Sequence, residues 1–144
     1  MTSTTRVPST SPYADRIGFS AAVRSGDTIH VSGMTALRAD GAIAGGEDPY
    51  EQARAALAKI DAALRAAGAS AADVVRTRIY VTERSYAEPV GRAHGETFGD
   101  AKPAATMVVA QLLDPRMKVE IEATAHLTGA AVARDQATSV CSSE

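Results

Sequence analysis

The chain has 144 residues, of which 45% are hydrophobic, and this is enough for one domain with one ordinary core. Its formal charge of -2 at pH 7 provides no positive field for nucleic acid or anionic lipid. A single cysteine, Cys141, excludes an internal disulfide, and no apolar run approaches the roughly 20 residues that span a bilayer. We therefore expect a soluble, cytoplasmic protein that binds neither nucleic acid nor membrane.

Both ends of the chain have the composition of flexible segments. Residues 1–12 are rich in Ser, Thr and Pro, and residues 129–144 are mostly Ala, Ser, Thr and charged residues. Such segments contribute little apolar surface to a core. We expect a flexible segment over 1–12, a folded domain over 13–128 and a flexible tail over 129–144.

The first half of the domain predicts a hairpin followed by a helix. Residues 17–23 and 28–34 flank the turn signal Ser25-Gly26-Asp27, which indicates two paired strands. A glycine-rich loop over 38–47 then leads to Asp48-Pro49-Tyr50-Glu51, where an N-cap, a first-turn proline and an acidic residue predict the start of a helix. Apolar residues recur every three or four positions from there to Gly68, the expected C-terminal cap.

The second half predicts a strand, a helix and two more strands. Residues 73–82 alternate Val75, Thr77, Ile79 and Val81 with polar residues, which is typical of a strand with two different faces. A helix is expected over 86–98, where Gly91 and Gly95 would be tolerated best if another backbone packed closely. Strands over 104–112 and 117–127, separated by a turn at Asp114-Pro115, complete the order ββαβαββ.

Two amphipathic helices can cover one face of such a sheet, and the chain offers no third element for the other face. We expect the uncovered alternation to carry an apolar row of Ala105, Met107 and Val109. An apolar row of this size is unfavourable in water. A second copy of the chain is therefore the expected cover.

Five segments in series resemble the RidA/YjgF enamine/imine deaminase family, and the match runs from about residue 17 to residue 127, essentially the whole domain. No single motif among them is diagnostic, but their order and spacing follow the family pattern. They are Gly18-Phe19-Ser20, Ile29-His30-Val31-Ser32-Gly33, Asp73-Val74-Val75-Arg76-Thr77, Pro103-Ala104 and Val119-Glu120-Ile121-Glu122-Ala123.

This resemblance implies a chorismate-mutase-like α+β fold and a homotrimer whose sheets line a central barrel, with clefts between subunits. It also implies hydrolysis of 2-aminoacrylate and related enamines or imines without metal or organic cofactor. In the typical member an arginine binds the substrate carboxylate, which suits a planar guanidinium. A glutamate at the position of Glu120 activates water, and the segment at Ser32-Gly33 contributes contacts from the neighbouring subunit.

The chain departs from this pattern at three positions. Ala105 follows Pro103-Ala104 where the family has its arginine, Met107 replaces a small or thiol residue, and Phe19 stands where a tyrosine is common. The chain thus resembles a branch that lacks the arginine. We expect a small-molecule substrate that is less acidic and more hydrophobic than a free amino-acid enamine.

Glu120 is the candidate catalytic residue, since a glutamate between apolar walls has a raised pKa and can serve as acid or base. Its alternative role is that of a solvated or ion-paired interface residue. Arg78, or else Arg76, is the candidate to bind the substrate anion, because Ala105 has no charged group for that role. The alternative for both arginines is an ion pair with Glu120 or Glu122.

Ser32, Gly33, Phe19, Ala105 and Met107 complete the predicted substrate-binding set. His94 could carry a proton near neutral pH, but its position at the edge of the core stripe of its helix favours a structural role.

The leading interpretation is a RidA-like homotrimer that hydrolyses a small imine, enamine or related carbonyl intermediate in an intersubunit cleft, in specialised metabolism. One alternative is a non-catalytic ligand-binding or chaperone-like trimer. The other is an endoribonuclease, against which the net negative charge argues.

Overall fold

The protein is a mixed α+β domain, and the computed structural model describes residues 3–128. The predicted tail over 129–144 lies outside the described residues. Six strands form one sheet in the order β1-β2-β3-β6-β4-β5. In chain order the elements are β1 (Thr4–Val7), α1 (Ala14–Ile17), β2 (Ala22–Ser25), β3 (Thr28–Met34), α2 (Pro49–Ala66), β4 (Val74–Val81), α3 (Ala87–Phe98), β5 (Ala104–Val109) and β6 (Val119–His126), with 3-10 helices at Ala71–Asp73 and Arg84–Tyr86.

The N-terminal part contains more structure than the sequence predicted. β1 lies within the segment 1–12 that we expected to be flexible, and it pairs antiparallel with β2 from Thr4 opposite Ser25 to Val7 opposite Ala22. The Ser, Thr and Pro content of residues 1–12 did not indicate a strand. β1 forms because its backbone pairs with β2 at the edge of the sheet. The first strand of the predicted hairpin is also shorter, since Ile17 ends α1 and Gly18 closes that helix at φ 88°.

α2 follows the prediction closely and supplies most of the helical side of the core. The Asp48 carboxylate accepts hydrogen bonds from the backbone N–H groups of Tyr50 and Glu51, at 2.9 and 3.3 Å. These bonds satisfy N–H groups that have no partner within the helix. Its buried side chains form one core with β3, β4 and β6; among them are Ala53, Ala56, Leu57, Ile60, Ala63 and Leu64.

β4 has two faces as predicted, but one residue differs. Thr77, Ile79 and Val81 are buried, whereas Val75 is 50% exposed. The pairing of β4 with β6 shifts register between Val74 and Arg76, so a bulge turns Val75 out of the alternation. The expectation that Val75 shares the buried face was therefore wrong.

The apolar row of β5 lies on the opposite face from the one expected. β5 is parallel to β4, with Thr77 opposite Ala105 and Ile79 opposite Met107. Paired residues point to the same face of a sheet, so Ala105 and Met107 share the face that the helices cover. The face opposite α2 and α3, here called the open face, instead carries polar side chains over much of its area.

α3 covers the sheet beside α2, and its glycines do not mark a close contact within the chain. A Cβ atom added at Gly91 or Gly95 would meet no atom within 4 Å, so no other backbone of residues 3–128 packs closely against them. His94 has the structural position that was favoured for it. Its Nε2 lies 2.8 Å from Oγ1 of buried Thr77, and burial lowers the pKa of its imidazole.

Residues 3–128 include no helix with the length and apolar character required to cross a membrane.

Candidate functional site

A pocket of about 750 Å³ opens where β3 and β6 approach the N-terminal segment, α2 and the turn before β6. Its wall combines residues that are far apart in sequence, because the sheet brings β3 next to β6. Most of the wall is apolar, with a few charged groups. The apolar lining includes Val7, Ile17, Phe19, Met34, Leu37, Leu113 and Met117, and the charged lining is Arg16, Lys59, Asp114 and Glu120.

Glu120 extends from β6 into this pocket. Its neighbours Val119 and Ile121 are fully buried in the core, so strand alternation directs Glu120 to the other side. The carboxylate lies against β3, since a Cβ atom added at Gly33 would stand 2.7 Å from Oε1 of Glu120. The absence of a side chain at Gly33 therefore makes room for the carboxylate.

The surroundings of Glu120 favour its protonated form. Burial raises the pKa of its carboxyl, the charge of nearby Glu122 raises it further, and Lys59 opposes both effects. Among residues 3–128, no N–H or O–H group donates a hydrogen bond to the side-chain carboxylate of Glu120. A raised pKa brings a carboxyl group closer to the range in which it can act as both acid and base.

Lys59 is a pocket residue that the sequence patterns did not single out. Its ammonium nitrogen Nζ donates hydrogen bonds to the carbonyl oxygens of Thr35 and Leu37, both at 2.9 Å. Burial lowers the pKa of Lys59, and the charge of Glu120 opposes this effect. One signal was present in the sequence: Lys59 stands three residues after Ala56 and four before Ala63, inside the apolar stripe of α2.

Three of the predicted substrate-binding residues, Ser32, Gly33 and Phe19, line the pocket together with Glu120. The Ser32 hydroxyl donates a 2.6 Å hydrogen bond to the carbonyl oxygen of Ser20. This bond orients the loop beside the pocket and leaves the hydroxyl oxygen as an acceptor.

The four other predicted residues do not line the pocket of one chain. Ala105 and Met107 lie on the edge strand β5. Arg76 lies on the open face, where its guanidinium donates a 2.7 Å hydrogen bond to Thr106 Oγ1. Arg78 is exposed on the same face, directly across from Glu122 on β6. A role for any of them at Glu120 would require a second copy of the chain.

The open face has its own polar network beside the pocket. Tyr80 and Glu120 are paired across β4 and β6, as are Arg78 and Glu122. The Tyr80 hydroxyl donates a short hydrogen bond to the Glu122 carboxylate, and this bond raises the pKa of Tyr80. Within residues 3–128, no three His, Cys, Asp or Glu side chains converge to hold a metal ion.

Comparison with known proteins identifies the family of the chain. The family model described as Endoribonuclease L-PSP matches residues 10–127. An uncharacterised protein of Streptomyces coelicolor is 37% identical over 122 residues, which cover 84% of this chain and 90% of that protein. A RutC family protein of Pyrococcus horikoshii is 31% identical over 109 residues, which cover 75% of this chain and 86% of that protein.

A solved structure supports the same assignment. It is the crystal structure of a member of the YjgF/YER057c/UK114 family from Mycobacterium tuberculosis, with 43% identity and a TM-score of 0.78. The similarity covers 87% of this chain and 100% of the other. Since the family model also spans residues 10–127, this chain belongs to the YjgF/RidA family, and it has Ala105 at the position where the sequence pattern places an arginine.

Proposed function

We propose that the protein hydrolyses small imines or enamines in the pocket of Glu120, without an organic cofactor. The observation that carries this proposal is a half-buried carboxyl with a raised pKa in a largely apolar pocket. An acid or base of this kind works best when its pKa lies near the working pH.

The reaction needs one proton carrier. Protonated Glu120 gives its proton to the imine nitrogen, and the C=N double bond becomes a C–N single bond as the water oxygen bonds to the carbon and a water proton passes to ionised Glu120. Glu120 then gives this second proton to the amino nitrogen. Ammonia leaves with the electron pair of the C–N bond as the hydroxyl proton passes to Glu120 and the carbonyl forms, so the sum is imine plus water giving carbonyl compound plus ammonia, with Glu120 protonated again.

The pocket walls support an apolar substrate. Phe19, Met34 and Leu113 are among the residues that surround the space beside Glu120. Burial of apolar surface contributes roughly 25 cal/mol per Å², so a branched or aromatic imine gains more from these walls than 2-aminoacrylate does. A cytoplasmic setting belongs to this proposal, since a chain with one cysteine needs no oxidising compartment.

A homotrimer is also part of the proposal. No helix within residues 3–128 covers the open face, and its side chains Arg76, Arg78 and Glu122 are available for contacts with charged or polar groups of another copy. In such an assembly the edge strand β5, with Ala105 and Met107, would complete the pocket from a neighbouring subunit. Sedimentation equilibrium tests this directly, and a stable monomer would contradict it.

The direct test compares turnover of enzymatically generated 2-aminoacrylate with turnover of bulkier apolar imines. We expect faster hydrolysis of the apolar imines, and a loss of about 100-fold or more in kcat for Glu120→Gln. Glu122→Gln is the matched control on the same strand, and it should retain most of its activity. Equal activity of the two variants would rule out Glu120 as the acid or base.

Two alternatives have distinct outcomes in the same assay. If the protein does not accelerate the hydrolysis of any imine, ligand binding is the better account of the pocket.

Endoribonuclease activity is the second candidate because the matching family model is described as Endoribonuclease L-PSP. The pocket wall contains two cationic side chains, Arg16 and Lys59, and a chain of net charge -2 gives little attraction for phosphates. This candidate would be favoured if the wild-type protein cleaves single-stranded RNA and the Glu120→Gln variant does not.

A further inference from the structure

The arrangement of Lys59 leaves one hydrogen-bond donor for a ligand. An ammonium group has three N–H donors, and the carbonyl oxygens of Thr35 and Leu37 accept two of them at 2.9 Å. These two bonds hold Nζ in place at the pocket wall. The third N–H is therefore available on a nitrogen that is already oriented.

Lys59 also differs from the other cation of the pocket wall. Arg16 is exposed on α1, and its guanidinium lies over the Tyr13 ring at 6.0 Å. Lys59 is a half-buried residue of α2, and its side chain extends to the backbone that follows β3. A partly desolvated cation attracts an anion more strongly than a solvated one, because water and salt screen it less.

From this geometry we infer that Lys59 binds the carboxylate of the ligand beside Glu120, so that the pocket accepts small apolar carboxylates that carry a carbonyl or imine carbon. It differs from the expectation of a less acidic substrate, which followed from the apolar side chains of Ala105, Met107 and Val109. The inference relies on the proposed function for the reacting carbon, and on the position of Lys59 for the carboxylate. In one chain, Lys59 lines the pocket and Arg78 does not.

The charges of Lys59 and Glu120 influence each other within the pocket. Lys59 favours the ionised form of Glu120. A ligand carboxylate bound to Lys59 offsets this attraction and adds a second negative charge, so it favours protonated Glu120. The bound ligand therefore prepares the acid form that protonates the departing nitrogen.

The test uses two unreactive probes of matched shape, 4-methyl-2-oxopentanoate and the neutral ketone 4-methylpentan-2-one. The chain has three lysines, at positions 59, 102 and 118, so lysine 13Cε resonances can be followed individually by NMR in the wild-type protein. We expect the carboxylate to shift the Lys59 resonance and to leave those of Lys102 and Lys118 in place. Dissociation constants for both probes come from the same titrations.

Substitutions at three cationic residues test this assignment. Lys59→Met keeps the apolar stem, and it should weaken carboxylate binding about tenfold or more while ketone binding stays within about twofold. Arg78→Met tests the open-face arginine, and Lys102→Met controls for loss of one positive charge. Both should bind the carboxylate like wild type, and Glu120→Gln should bind it at least as tightly.

Several results would overturn the inference. They are equal binding of carboxylate and ketone by the wild-type protein, loss of carboxylate binding in Arg78→Met rather than in Lys59→Met, or a shift of all three lysines alike. If Lys59→Met does not fold, the wild-type lysine resonances alone decide. Because these readouts measure binding, a failure of imine hydrolysis would leave them valid.

Discussion

Glu120 and Glu122 lie two residues apart on β6 and point to the same side of the sheet, yet their surroundings differ. Glu122 accepts a hydrogen bond from Tyr80 and lies across from Arg78. The Glu120 carboxylate is half-buried in the pocket, lies against Gly33 and receives no hydrogen bond from residues 3–128. One carboxylate belongs to a polar network on the open face, and the other lies in a pocket that raises its pKa.

This contrast shows that residue type and strand alternation alone do not define an acid or base. Hydrogen bonds to a carboxylate stabilise its ionised form, whereas burial without such bonds favours the protonated form. The pocket provides burial at Glu120, and Tyr80 provides the hydrogen bond at Glu122. Substitutions on each side, and then a change of pH, test this difference, beginning with the largest expected effect.

Gly33→Ala acts on the pocket side of the comparison. The added Cβ atom would stand 2.7 Å from Oε1 of Glu120, so the end of this flexible side chain must move. We expect a loss of roughly tenfold in kcat, equivalent to about 1.4 kcal/mol, with a small change in the free energy of unfolding.

Gly91→Ala is the matched control for this substitution. It adds the same methyl group in open space within α3, so it should leave kcat unchanged and stabilise the fold by up to about 1 kcal/mol. A Gly33→Ala protein with full activity would show that the position of the Glu120 carboxylate is unimportant.

Tyr80→Phe acts on the open face. It removes the hydrogen bond to Glu122 and keeps the ring, so the free energy of unfolding should fall by about 1 kcal/mol. Urea unfolding at fixed protein concentration measures this effect. Imine turnover should stay near that of wild type, and a large loss of turnover would mean that the open-face network is part of the active site.

The pH dependence of stability gives the smallest effect. The pKa of Glu120 is raised above its ordinary value of 4.5. At a pH between 4.5 and this raised pKa, the folded state therefore binds more protons than the unfolded state. The stabilising contribution of Glu120 is complete below pH 4.5 and is lost as pH rises through the raised pKa. The glutamine of Glu120→Gln has no ionisable group, so the variant lacks this pH dependence.

The stability difference between Glu120→Gln and wild type should therefore grow in favour of the variant as pH rises above 4.5. Urea unfolding at a series of pH values measures it. A difference that shrinks with rising pH would mean that the folded state stabilises ionised Glu120, contrary to its enclosure in the pocket.

Local patterns in the sequence were sufficient for much of the fold. The Asp48 cap and the three-to-four spacing predicted α2, and period-two alternation predicted β4, with a further strand at β6. These features depend on contacts within one helix or strand. The bulge at Val75 was not predictable in this way, because it arises from the register between two strands.

By itself, the sequence determined the order of the main elements, the family resemblance and Glu120 as the candidate acid or base. Only the tertiary structure decided that Lys59 and Glu120 line one pocket, that β1 completes the sheet edge and that Arg78 does not line this pocket within one chain. Lys59 and Glu120 are on different elements, and only the packing of α2 on the sheet brings them together. Sequence periodicity records which side of an element is buried, but it does not record which distant element lies against that side.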